Sequence, residues 1–188
     1  MSSIKKWDRY INNKLLSCVQ RPQPYNFCSL AVIQEILLFF DIEKSYLEIM
    51  SETGIWKSEV IAGKIGNSRL QDGLRKYKLG AILYNKDNKI NWHKFKLHLM
   101  SDFPMILHRK GHYSLVVGYI EEPLLINSGD NVTIHSSKIQ KWIVLGEHRV
   151  KNKTVKENGM IELYSWDNYQ KLINSKNNYG VIVCFERD

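Results

Sequence analysis

The segment Cys28-Ser-Leu-Ala-Val-Ile-Gln-Glu-Ile-Leu-Leu-Phe-Phe40 constrains this chain more than any other. Leu30, Ile33, Ile36, Leu37 and Phe40 recur at helical spacing. Pro22 and Pro24 break the chain just ahead and place the helix start near Cys28. No other helical pattern here is as long and as apolar, so this helix belongs at the centre of the fold. A cysteine in its first turn meets unpaired N–H groups and the positive end of the helix dipole, which favour a thiolate.

The second half of the chain changes character. Met105–His108, His112–Tyr119 and Leu124–Asn127 are three β-like runs joined by polar turns. Val132–His135 and Trp142–Leu145 extend the same sheet, and Gly180–Phe185 supplies a last strand. Ala81–Tyr84 reads as a short strand. Helices are expected over 1–17 (on Trp7, Ile11 and Leu15), 41–51, from Ser68 through Tyr77 to Gly80, 90–100, and from Ser165 through Leu172. Helices early and antiparallel strands late make an α+β pattern. No repeat or composition shift marks a boundary, so residues 1–188 read as one domain. The stretch 129–160 is longer than such a fold needs and reads as an inserted lid or as a solvated elaboration.

Bulk properties narrow the function. With 44% hydrophobic and 24% charged residues, a chain of 188 can bury a real core. The net charge of +8 suits an acidic peptide or protein partner. Lysines are scattered and no nucleic-acid motif interleaves them with aromatics, which points away from nucleic acid. No run approaches membrane-spanning length, and Met1-Ser-Ser-Ile-Lys-Lys-Trp-Asp8 lacks the apolar core of a secretory signal. A cytoplasmic protein without a membrane segment is expected, with export by a specialised machine left open. Cys18, Cys28 and Cys184 are too few and too scattered for a disulfide framework or a zinc site. His93 with His98, and His108 with His112, lack further ligands, so neither a metal nor a cofactor is expected.

Chemistry concentrates on two places. His112 follows Gly111 and opens an apolar run ending at Gly118, where a polar ring is poor core material and suits a base at a cleft. Asn127 ends the next expected strand. If it pairs with the strand of His112, its amide can hold the imidazole by one nitrogen. A thiol at a helix start, a distant histidine and a following Asn or Asp are the parts of a cysteine nucleophile site. Taken singly, each has a plainer reading: packing for the thiol, a local hydrogen bond for the histidine, a turn for Asn127-Ser-Gly.

The motif Pro24-Tyr-Asn-Phe-Cys28-Ser-Leu-Ala resembles the nucleophile helix of the papain-like cysteine peptidase superfamily. His112-Tyr-Ser-Leu-Val-Val-Gly118-Tyr119 resembles its histidine strand, and Leu125-Ile-Asn127-Ser resembles its Asn-Ser segment. Pro104-Met-Ile-Leu and the stretch from Tyr164 to Phe185 fit in order. The branch most resembled holds bacteriocin-leader peptidases, phytochelatin-synthase-like enzymes and bacterial effector proteases. The resemblance implies a papain-like fold: an N-terminal helical lobe whose nucleophile helix packs on an antiparallel sheet or half-barrel.

It also implies acyl transfer through Cys28, His112 and Asn127, with hydrolysis of a peptide or amide bond foremost. The same machinery serves transglutamination, deamidation or transpeptidation, and an inactive papain-like binding module is the rival from another class. The family's oxyanion glutamine usually lies about six residues before the cysteine. Gln20 lies eight before and Gln23 five before. Gln20 is preferred, because Pro22 and Pro24 leave room for a loop. Asp130 is the alternative third member, since some relatives use Asp. Trp56, Trp142 and Trp166 are candidates for a substrate groove or for the core.

Overall fold

Antiparallel pairing organises the molecule. The computed structural model describes residues 12–16, 26–128, 131–147, 160–175, 177 and 179–187. In chain order the elements are β1 (Asn12–Leu15), α1 (Cys28–Phe39), α2 (Tyr46–Thr53), α3 (Lys57–Ile61), α4 (Asn67–Lys76) and β2 (Leu79–Tyr84). They continue with α5 (Trp92–Met100), β3 (Met105–Arg109), β4 (His112–Ser128), β5 (Asn131–Glu147), β6 (Met160–Ser165), α6 (Trp166–Ile173) and β7 (Gly180–Glu186). The sheet runs β2-β7-β3-β4-β5-β6, and β1 adds to β4 beyond the end of β3. Every pairing is antiparallel.

The sheet has a helical layer on each face, and strand alternation assigns the side chains. Leu79, Ala81, Ile106, Tyr113, Leu115, Val117, Val144, Ile182 and Cys184 face the cluster that holds Leu30, Ile33, Ile36 and Leu37 of α1 and Leu70 and Leu74 of α4. Tyr84, Met105, Leu107, Val116, Tyr119, Ile143, Leu145, Val181 and Val183 face Trp92, Phe95 and Leu99 of α5 and Trp166, Tyr169 and Ile173 of α6. This is the α+β architecture expected from the sequence. α1 is central as expected: its residues from Ser29 to Leu37 are all buried. Even Gln34 is enclosed, and its amide donates to the Lys44 carbonyl at 2.6 Å.

Several local expectations change. Residues 12–15 are not helical: they form β1, with Leu15 exposed and Leu16 in the second cluster. Short-range helical spacing of Ile11 and Leu15 lost to pairing along Gly118–Glu121 of β4. Gly118 permits this, because a Cβ there would lie 2.1 Å from the Lys14 carbonyl oxygen. α4 starts at Asn67 behind Gly66, so Ser68 is inside the helix rather than its cap. The helix stops before Gly80, through Lys78 at φ +61°. The runs 112–119 and 124–127 are one strand, as are 132–135 and 142–145. Glu121-Glu122-Pro123 runs through as strand, with a register shift between Pro123 and Leu124. Proline is tolerated at such an irregularity. Consequently residues 131–147, expected within a lid, are a sheet strand paired to β4 and β6. No helix among the described residues is long and apolar enough to cross a membrane.

Candidate active site

Cys28 is the first residue of α1, and Phe27 caps the helix without a side-chain hydrogen bond. Asn26, at φ +65°, turns the chain into the helix; its amide donates to the Ile61 carbonyl at 2.9 Å. Asn is one of the few side chains that accept that backbone conformation readily. The first-turn N–H groups therefore point toward the mouth of the site.

His112 reaches the same point from the sheet. It opens β4 directly after Gly111 at φ +64°, which closes the tight turn from β3. Its side chain is 9% exposed and hydrogen-bonds Cys28. Burial alone would raise the Cys28 thiol. The His112 hydrogen bond, the Tyr113 backbone N–H, the charge of His112 and the Ser29 backbone N–H together outweigh it and pull the thiol below its ordinary value. The other described cysteine behaves oppositely: Cys184 is fully buried in the apolar cluster, which pushes its thiol strongly up.

Tyr113 is a site residue that the sequence did not single out. One step beyond His112, it faces the α1 side of the sheet. Its N–H supports Cys28, and its hydroxyl donates to the Ile65 carbonyl at 2.9 Å, with the Asn67 side-chain oxygen at 3.3 Å. His108 stacks on its ring, with centroids 4.3 Å apart and planes at 17°. Cys28, His112, Tyr113 and His108 line a narrow cleft of about 40 Å³ with Asn26, Ser29, Gly63, Ile65 and Gly111.

The other expected site residues fall elsewhere. Asn127 is not on a strand beside His112. It lies fifteen residues farther along β4 itself, paired with Val132 near the hairpin turn. At about 3.3 Å per residue, the strand path between them is on the order of 40–50 Å. The paired-strand placement is thereby corrected, and its cause is the missing turn at Glu121-Glu122-Pro123. Gln20, Gln23, Asp130 and Cys18 lie outside the described residues. Trp142 and Trp166 line a separate groove of about 450 Å³ with Ile139, Lys141 and Asp167. Trp56 is 72% exposed at the start of α3. None of these three tryptophans lines the Cys28 cleft.

The arrangement is suited to nucleophilic attack. The sulfur has an imidazole within hydrogen-bond reach, helix-start N–H groups around it and an open cleft above. A thiol pulled below its ordinary value beside an imidazole pairs an attacking sulfur with a group that can take and return its proton.

No family model matches the chain, and no curated protein sequence matches it. Two solved structures are similar over most of their length. One is a double glycine motif protease from an AMS/PCAT transporter in complex with the leader peptide. It is 10% identical, with 90% of this chain and 93% of that chain covered and a TM-score of 0.49. The other is the peptidase domain of Streptococcus ComA, a bi-functional ABC transporter of a quorum-sensing pathway. It is 15% identical, with 93% and 98% covered and a TM-score of 0.47.

Proposed function

We propose that this protein is a cysteine-dependent acyl-transfer enzyme that hydrolyses a peptide or amide bond. One observation carries the reading: a cysteine at a helix start, hydrogen-bonded to a strand-borne histidine, has its thiol lowered although burial opposes this. A packing cysteine behaves as Cys184 does.

Cys28 Sγ attacks the carbonyl carbon of the substrate. The oxygen that gains negative charge lies toward the helix start, where the Cys28 N–H donates to it. His112 gives its proton to the leaving amine, and an acyl-enzyme remains. A water then loses a proton to His112, attacks the thioester and frees the acid. A peptide of acidic character suits the charge of +8.

The oxyanion amide at Gln20 or Gln23 and the orienter at Asn127 or Asp130 enter this reading from the family resemblance alone. The topology speaks against Asn127. Asn127→Ala is therefore expected to leave turnover unchanged, and a large loss would restore Asn127 as orienter and overturn the continuous β4.

The test is turnover of a mixed peptide pool followed by mass spectrometry, for the wild type and Cys28→Ser. Cleavage products that appear with the wild type and vanish with Cys28→Ser are expected. Identical product sets, or none from either protein alongside an unreactive Cys28, would remove the enzymatic reading in favour of a binding module.

A further inference from the structure

His112 is the part of the site with the least support from its own strand. β4 begins at His112, and its pairing with β5 begins only at Leu115 opposite Gly146. From His112 to Ser114 the described pairing is with β3 alone, through an exposed Lys110-Gly111 turn. A base must hold its ring within a fraction of an ångström of the sulfur. Something has to anchor the end of this hairpin.

Arg109 stands directly opposite His112 in the register. Opposed residues share a face, with Cβ atoms about 4.5–5.5 Å apart. Its guanidinium does not extend into water. Nη1 donates to Glu162 Oε1 at 2.6 Å and Nη2 to Oε2 at 2.8 Å, in a two-pronged pair. The Tyr164 ring lies 5.5 Å away. The Arg109 side chain is 13% exposed. Glu162 and Tyr164 belong to β6, the edge strand two places beyond β4 in the sheet. The fork therefore crosses the face of β4 and β5 and ties the catalytic hairpin to the far edge.

Charge adds a second consequence. In the proposed mechanism His112 must carry a proton while Cys28 is a thiolate. An uncompensated cation on the cross-strand neighbour would disfavour that proton. The Glu162 carboxylate neutralises it. Among the described residues, the charged and titratable groups that share the cleft or the hairpin of His112 are Cys28 on α1, His108 and Arg109 on β3, Lys110 in the turn, Tyr113 on β4 and, through Arg109, Glu162 on β6.

We infer that Arg109 and Glu162 are positioning residues for the catalytic base: a rigid two-pronged pair that holds His112 on Cys28 and cancels the charge facing it. This inference rests on the proposed function, and its readouts are chosen to separate the two. Neither residue touches the substrate cleft, so the effect falls on kcat and leaves KM in place.

The experiment compares the wild type, Glu162→Gln and Arg109→Lys. The His112 ring is followed by two-dimensional NMR against pH, and kcat and KM are measured on one cleaved peptide. Glu162→Gln keeps the shape but leaves the cation facing His112. Its imidazole midpoint is expected to fall by about 0.5–1 unit, with a loss of about tenfold in kcat. Arg109→Lys keeps the charge but cannot span both oxygens. It is expected to lower kcat with KM unchanged, and gives the answer should the first variant fail to fold. A His112 midpoint and kcat equal to the wild type in a folded variant would overturn the inference. So would a loss of melting temperature with neither quantity changed. If the wild type shows no turnover, the proposed function fails, while the NMR midpoint still decides the positioning claim.

Discussion

Removing the Tyr113 hydroxyl should loosen the cleft wall without disarming the nucleophile. That hydroxyl is buried, with the residue 5% exposed. It donates to the Ile65 carbonyl at 2.9 Å and lies 3.3 Å from the Asn67 side-chain oxygen. Burial first, and the charge of Cys28 second, push the phenol strongly up, so it stays a donor at any working pH. Phenylalanine keeps the ring against His108 and keeps the backbone N–H under Cys28. Only the anchor of residues 65–67 is lost. A buried acceptor deprived of its donor costs about 1–2 kcal/mol, net of what the hydroxyl gained on folding. In a domain of this size each kcal/mol moves the melting temperature by roughly 2–4 °C, so a drop of about 2–8 °C is expected. Scanning calorimetry on Tyr113→Phe and the wild type reads this directly. Alkylation of Cys28 at neutral pH should stay within about threefold, because a change of 1.4 kcal/mol at the sulfur would be needed for tenfold. A melting temperature within a degree of the wild type would refute the anchor. A collapse of thiol reactivity would show that the hydroxyl, and not the backbone, supports the sulfur.

Other substitutions test the packing that positions the site. Phe95 is fully buried and stacks on Trp92 with centroids 5.5 Å apart, so Phe95→Ala should cost about 3–5 kcal/mol in urea unfolding; a cost below 1 would contradict the α5 layer. Gly118→Ala brings a Cβ onto the Lys14 carbonyl and should release β1, seen as faster amide exchange over 12–16 with β3–β4 exchange retained. Unchanged exchange there would mean that β1 does not pair with β4.

The helix start at Cys28 was legible because an apolar period of 3.6 and two prolines agreed on it. The histidine strand was legible because Gly111 and Gly118 bracket a mostly apolar run, which is buried throughout. Both motifs lie within a few residues, where local rules act. The rest depended on long-range pairing. β1 pairs with residues about a hundred positions away, and its own sequence looks helical. Glu121-Glu122-Pro123 has the composition of a turn, yet a register shift absorbs the proline and the strand continues. That single difference moved Asn127 away from His112. Arg109 and Glu162 are 53 positions apart and gave no local signal at all. The Tyr113 contribution was concealed for another reason: half of it is a backbone N–H, which any residue would carry.

The central claim is that Cys28 and His112 form one reactive unit, and the direct test is the pH dependence of iodoacetamide alkylation, site by site, by mass spectrometry. The Cys28 thiol is lowered, so its thiolate persists as pH falls past the range of an ordinary thiol and is lost only below the lowered value. Cys184, pushed up by burial, should stay unlabelled in the folded protein. The account predicts that Cys28 is labelled first near pH 6 in the wild type. In His112→Ala the same reaction should need a pH near the ordinary thiol value of about 8.5. Equal profiles for the wild type and His112→Ala, or a Cys28 no more reactive at pH 6 than a free thiol, would contradict it.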